Sequence, residues 1–186
     1  MNKTTLAFIF ALAITPILTH AEDAPAPAST AAATPPAITD NQIAEIMKTA
    51  NMAEIDAAKI AKEKSKDQKV KDFAEHMIVE HKQNDKDAKV LEKKVDIKPK
   101  SNDIAKGIKK DAKTELADLK KMSGADFDKG YMKMQIGMHQ ELLNDLDQKF
   151  IPAAQNTHFK EFLQTTRTHV AAHLAKAQEV QIDISK

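Results

Sequence analysis

An all-α fold follows from three features of this 186-residue chain. Only four glycines interrupt a composition rich in Ala, Lys, Glu, Gln, Leu and Met, residues that lose little on entering a helix. Apolar residues recur at steps of three and four along four long stretches, the spacing of a buried helix face. Capping-box patterns stand before the first two of those stretches. The expected arrangement is four long amphipathic helices with a helical crossover segment between the second and third.

Residues 1–21 read as a signal peptide. Asn2 and Lys3 give a short positive start, Leu6 to Leu18 an apolar run, and Ala21 a small residue after which cleavage is expected. The run is too short, and too closely followed by small and polar residues, for a stable membrane span. No later stretch is apolar enough to cross a membrane. Residues 22–38 carry Pro25, Pro27, Pro35 and Pro36 among Ala, Thr and Ser, a flexible linker that cannot bury a core. Residues 39–182 are the expected helical domain.

Loss of the leader removes one Lys and no acid, so 28 basic residues become 27 against 27 acidic ones. That neutrality, with one Tyr and no Trp, offers little for phosphate contacts or base stacking, and nucleic acid is not an expected partner. The absence of Cys excludes a lipoprotein anchor, disulfides and any thiolate metal site. The expectation is an exported protein, periplasmic or secreted, with no transmembrane segment after cleavage.

In the first helix, Thr39-x-x-Gln42 forms the capping box and the pattern runs to about Lys64. Its inward stripe is Ile43, Met47, Ala50, Glu54, Ala57 and Ala61, so Glu54 interrupts an apolar face. Ser65-x-x-Gln68 opens the second helix, whose stripe passes through Val70, Phe73, Met77, His81, Asn84, Leu91 and Val95. His81 lies on that stripe, and His76 is expected to point away from it into solvent. Pro99 stops the pattern. Ser101 to about Met122 is less regular, with Ile104, Ile108, Leu116 and Leu119 around Gly107, and reads as the crossover segment. Gly124 suits a left-handed cap and Asp126 a helix start. The next helix, to about Phe150, shows a face with Tyr131, Met132, Gln135, Met138, His139, Leu142 and Leu146. Pro152 closes it, Asn156 or Thr157 caps the last helix, and the last stripe runs from Phe159 through Thr166, Val170 and His173 to Ala177. This is the element order of a ferritin-like four-helix bundle; five up-and-down helices without a crossover stay open as the alternative.

His169 and His173 stand four residues apart, one helical turn, with His173 near the middle of its stripe and His169 at the edge. Each long helix thus carries an inward group able to bind metal: Glu54, His81, His139, and His173 with His169. Burying a carboxylate or imidazole in a bundle core is costly unless it is hydrogen-bonded, paired or bound to a cation. These five residues are the candidate metal ligands, and a histidine-rich set suits zinc, copper or iron. No inward Glu-x-x-His pair is present, which argues against an oxygen-activating di-iron centre. The competing reading is a non-catalytic envelope, stress or partner-binding protein whose polar core groups bond to one another without metal. Glu80 and Glu141, near His81 and His139, are either orienting partners or surface charges. Met132, Met134 and Met138 do not converge on one helix face and read as packing. No nucleophilic triad, phosphate-cradling loop or dinucleotide fingerprint occurs, so no enzymatic reaction is assigned.

Three segments carry a family resemblance: Val70-Lys71-x-Phe73-Ala74-x-x-Met77-x-x-Glu80-His81, Ser123-Gly124-x-x-Phe127-Asp128-x-x-Tyr131-Met132, and His173-Leu174-x-x-Ala177, together with His139. From about Thr39 to Val180 the chain resembles a family of exported bacterial proteins known as a domain of unknown function, often labelled predicted outer-membrane proteins and built on a ferritin-like helical domain. The resemblance implies an exported helical domain with its pattern at Glu54, His81, His139 and His173, and it sets His169 apart as an individual addition. The family usually has Pro where Thr168 stands. The resemblance implies no activity.

Overall fold

The computed structural model describes residues 38–186; the expected leader and residues 22–37 of the expected linker lie outside the described residues. Five helices account for most of them: α1 (Asp40–Lys64), α2 (Gln68–Lys94), α3 (Asp103–Lys121), α4 (Gly124–Asp145) and α5 (Thr157–Asp183). No strand occurs among the described residues, in line with the composition.

Local chemistry sets most helix ends. At α1, Thr39 Oγ1 accepts from the Gln42 amide and Gln42 Oε1 accepts from the Thr39 amide at 3.0 Å, the expected capping box. The expected box at Ser65 does not form. Ser65 Oγ instead accepts from the Asp67 amide, and Asp67 Oδ1 caps α2 by accepting from Lys69 at 2.8 Å and Val70 at 3.2 Å. Asn102 and Asn156 cap α3 and α5 in the same way.

Gly124 has φ +56° and is the first residue of α4, two residues before the expected start at Asp126. A Cβ there would meet no atom within 4 Å, so only the backbone penalty opposes a side chain. Gly124→Ala should therefore lower stability by roughly 1–2 kcal/mol in denaturant unfolding; an unchanged or higher midpoint would contradict this.

α4 does not run unbroken to Phe150. Leu146–Phe150 form a π-helical stretch, followed by the short turn Ile151–Ala153. Pro152 cannot donate to the preceding turn and its ring crowds the carbonyl four residues back, and a widened turn before it relieves both. Arg167 of α5 fastens this stretch through two parallel bonds to Asp147, 2.7 and 2.8 Å.

Contacts at the helix ends give the directions. Asp40, at the start of α1, accepts from the Gln155 and Asn156 amides just before α5, so α1 and α5 begin at the same end. Lys69 near the start of α2 reaches Asp183 at the end of α5, so those two helices run oppositely. α3 begins beside the start of α1, where Asn102 Nδ2 donates to the Gln42 carbonyl, and ends beside the end of α1, where Lys64 donates to the Lys120 carbonyl. α3 thus returns the chain to the end where α1 stopped, and α4 descends from there.

Two apolar clusters fill the interior. One, including Val70, Phe73, Met77, Phe127, Tyr131 and Val180, lies towards the end of α1; the other, including Ile43, Ile46, Leu146, Phe150, Phe159 and Leu163, lies towards its start. Each fully buried large side chain contributes about 1.5–3 kcal/mol. Between the clusters, in every one of α1, α2, α4 and α5, the buried residues turn polar: Asn51 and Glu54, His81, Gln135 and His139, Thr166 and His173. The interior is two oily blocks with a polar belt between them.

Candidate metal centre

Three imidazoles from three helices meet in that belt. His81 of α2, His139 of α4 and His173 of α5 are 4%, 1% and 5% exposed. Their ring centroids form a near-equilateral triangle of 5.8, 5.3 and 5.4 Å. One ring nitrogen from each lies within 4.8 Å of the other two.

Hydrogen bonds decide which nitrogens are free. Thr166 Oγ1 accepts from Asn84 Nδ2 at 2.9 Å, and Asn84 Oδ1 accepts from Asn51 Nδ2 at 2.8 Å. This chain turns the Asn51 oxygen to His81, so His81 Nδ1 is the protonated, donating nitrogen at 2.9 Å. His139 Nδ1 donates to the Gln135 carbonyl, also at 2.9 Å, and a carbonyl can only accept. In its neutral form each ring so bonded is the tautomer whose Nε2 carries the lone pair. Those two Nε2 atoms and His173 Nδ1 are buried and have no hydrogen-bond partner. Buried polar atoms without partners are costly, and three such atoms occur on the three histidines that could hold a metal ion.

Burial holds His81 well below the usual imidazole pKa, with His139 and His173 adding repulsion. It holds His173 at about 3, with His139, His76 and His169 adding to the effect. Both are therefore neutral and able to ligate throughout the ordinary pH range. A zinc ion bound to imidazoles at 2.0–2.1 Å keeps its donors about 3.3 Å apart, so nitrogens within 4.8 Å of one another would have to draw in by at most about 1.5 Å to hold one.

The other expected ligands stand outside the triangle. Glu54 is buried, but Gln135 Nε2 donates to its Oε2 at 2.7 Å and its Oε1 lies 3.5 Å from His139 Nδ1, the side of the ring opposite the free nitrogen. It thus faces the His139 ring from its Nδ1 side, next to the Gln135 carbonyl that the same nitrogen bonds. Burial raises the Glu54 pKa, opposed by His139 and Gln135. His169 is also outside: four residues advance a helix by about 40° beyond a full turn, and its side chain is 52% exposed with Nδ1 3.8 Å from Glu80 Oε2. His76, expected to point away into solvent, is exposed but packs edge-on against His173 at 5.6 Å. Two residues carry more than the sequence indicated. Asn51 orients His81, and Gln135 supports both Glu54 and His139; the signal for Gln135 was a polar residue on the expected inward face.

A comparison with protein families matches residues 24–180. The chain belongs to the family described as Domain of unknown function (DUF4142). No curated protein and no solved structure matches it. Membership in DUF4142 carries no reaction with it, so the chemistry of this member rests on its own side chains.

Tyr131 of this DUF4142 chain separates site from packing. Its ring is fully buried against Phe73 and Phe127, but its hydroxyl has no partner. Burial, and secondarily Glu54, push its pKa well up. Tyr131→Phe removes an unsatisfied donor and should raise stability by about 1 kcal/mol; a clear loss of stability would reveal a bond that the geometry does not contain.

Proposed function

We propose that this is an exported metal-binding protein of ferritin-like four-helix topology that holds one divalent transition metal ion through His81 Nε2, His139 Nε2 and His173 Nδ1. Its role is to store or buffer the ion in the cell envelope. The observation that carries this reading is the convergence of three buried, unpartnered imidazole nitrogens, two of them aimed by tautomer-fixing hydrogen bonds. The topology is supported by where α3 lies: it runs along α1, with Asn102 bonded to the Gln42 carbonyl and Lys64 to the Lys120 carbonyl, and makes few contacts with α2, the helix that precedes it. Three neutral imidazoles suit zinc, copper or iron(II), and the converging set among the described residues contains no carboxylate, which disfavours a di-iron oxygen-activating centre. The opening beside the triad is a narrow crevice, which favours holding an ion over turning over a substrate.

The test is elemental analysis of tag-free protein, followed by titration of the stripped chain with zinc, copper(I), copper(II) and iron(II). One ion per chain, bound at micromolar affinity or better, is expected. No uptake of any of the four overturns the proposal. One observation favours a metal-free polar core instead: the continuous chain from His81 through Asn51 and Asn84 to Thr166 links three helices and fixes their register. That reading predicts no rise in melting temperature with any of these ions.

A further inference from the structure

Three openings approach the polar belt, and they differ in what they reach. The cavity between α1, α3 and α4 is lined by Asp111, Glu115, Glu141 and Asp145 and reaches Glu54, but no member of the triad. The groove lined by Lys69, Asp72, His76, Lys176 and Asp183 also stops short of the three ligands. The crevice between α2 and α5 is different: Glu80 and His169 stand with Asn84 and Thr166 on the same walls as His81 and His173. Glu80 and His169 are 34% and 52% exposed, with Oε2 and Nδ1 3.8 Å apart, whereas the two histidines further in are buried.

We propose that the Glu80–His169 pair is the loading gate of the metal centre, an outer capture point that takes a hydrated divalent cation from solvent and passes it down the crevice to His173 and His81. The inference rests on the metal reading above and adds the route. A carboxyl group and an imidazole facing each other at this distance offer an oxygen and a nitrogen donor on opposite walls, enough for transient capture without the three convergent donors that hold an ion. His173 is the natural receiver, since its ring lines the crevice and its Nδ1 has no competing partner. Asn84 on one wall and Thr166 on the other carry side-chain oxygens that each accept one bond and keep a second lone pair for the water that the ion sheds. His169, which helical phase excludes from the core, acquires a role that its exposure permits.

A gate and a ligand leave different kinetic signatures. A gate alters loading and release equally and leaves the dissociation constant unchanged; a ligand alters the constant. The probe is Co²⁺ added to the stripped full chain, followed by stopped-flow absorbance for loading and by excess chelator for release. Glu80→Gln with His169→Gln should slow both by about tenfold, the scale of local electrostatic steering, and weaken the salt dependence of loading. The dissociation constant should stay within about twofold. Glu115→Gln with Glu141→Gln, at the opening that reaches only Glu54, should load at the wild-type rate. Wild-type loading in the first variant overturns the gate, as does a weakened constant at an unchanged loading rate, or slowing confined to the second variant. If the wild type takes up no Co²⁺ or Zn²⁺, the metal reading itself fails, a result distinct from a metal site loaded by another route.

Discussion

His173→Leu should abolish most metal-dependent stabilisation while leaving the metal-free protein about as stable as before. Among the described residues His173 makes no side-chain hydrogen bond, its Nδ1 is buried without a partner, and leucine is similar in size. Removing an unsatisfied polar atom and filling its space with carbon costs little, so the apoprotein should change by no more than about 1 kcal/mol in either direction. Loss of a group behind a ligand weakens metal binding about 10–100-fold, so loss of a ligand should cost about 100-fold or more. With zinc at a thousand times the wild-type dissociation constant, stabilisation of about 4 kcal/mol would fall to about 1.4 kcal/mol. Thermal unfolding with and without zinc reads both numbers. An equal zinc shift in wild type and variant removes His173 from the site, and a large loss of apoprotein stability assigns it a structural role.

The metal-free protein should be markedly acid-labile, and His173→Leu should relieve about half of the histidine contribution. His81 and His173 stay neutral in the fold, whereas in the unfolded chain they take up protons below about pH 6.5. The unfolded state then binds more protons, so stability falls as the pH drops, by about 1.4 kcal/mol per unit for each histidine. For His173 the loss continues until its folded pKa of about 3 is reached. Between pH 7 and pH 5 each costs about 2 kcal/mol, about 4 kcal/mol for the pair, a large part of a typical stability. Glu54 acts in the opposite sense: its raised folded pKa means the fold takes up a proton before the unfolded chain does, so acidification through that pKa returns some stability. The comparison of wild type with His173→Leu cancels the Glu54 share. Denaturant unfolding at pH 7 and pH 5 should show the variant losing about 2 kcal/mol less, and identical losses would mean that His173 is protonated in the fold. Saturating zinc should flatten the wild-type dependence towards neutral pH, because the bound ion holds the imidazoles deprotonated.

Much of this was legible in the chain. The heptad-like spacing of apolar residues on four stretches indicated four long helices, and the less regular stretch around Gly107 became α3, which buries only Ala105 and Leu119. Helical phase was enough to place Glu54, His81, His139 and His173 on inward faces, since a polar residue at i+4 from apolar neighbours has nowhere else to point. Helix ends were less legible. Ser65 and Asp67 are both good caps, and the choice between them depended on the turn from α1, where the Ser65 amide stays bonded to Ala61. The π-helical stretch before Pro152 was equally invisible, because it answers to crowding in three dimensions.

By itself, the sequence determined that the chain is helical and that four of its helices carry a polar group into an apolar interior, because periodicity is a one-dimensional property of each segment. Only the tertiary structure decided which of those groups meet. Glu54 meets His139 on its Nδ1 side, His169 is rotated by about 40° from His173, and Asn51 bonds His81 Nδ1. Those outcomes depend on the relative rotation and level of helices far apart in sequence, a few ångströms that no spacing along one helix encodes.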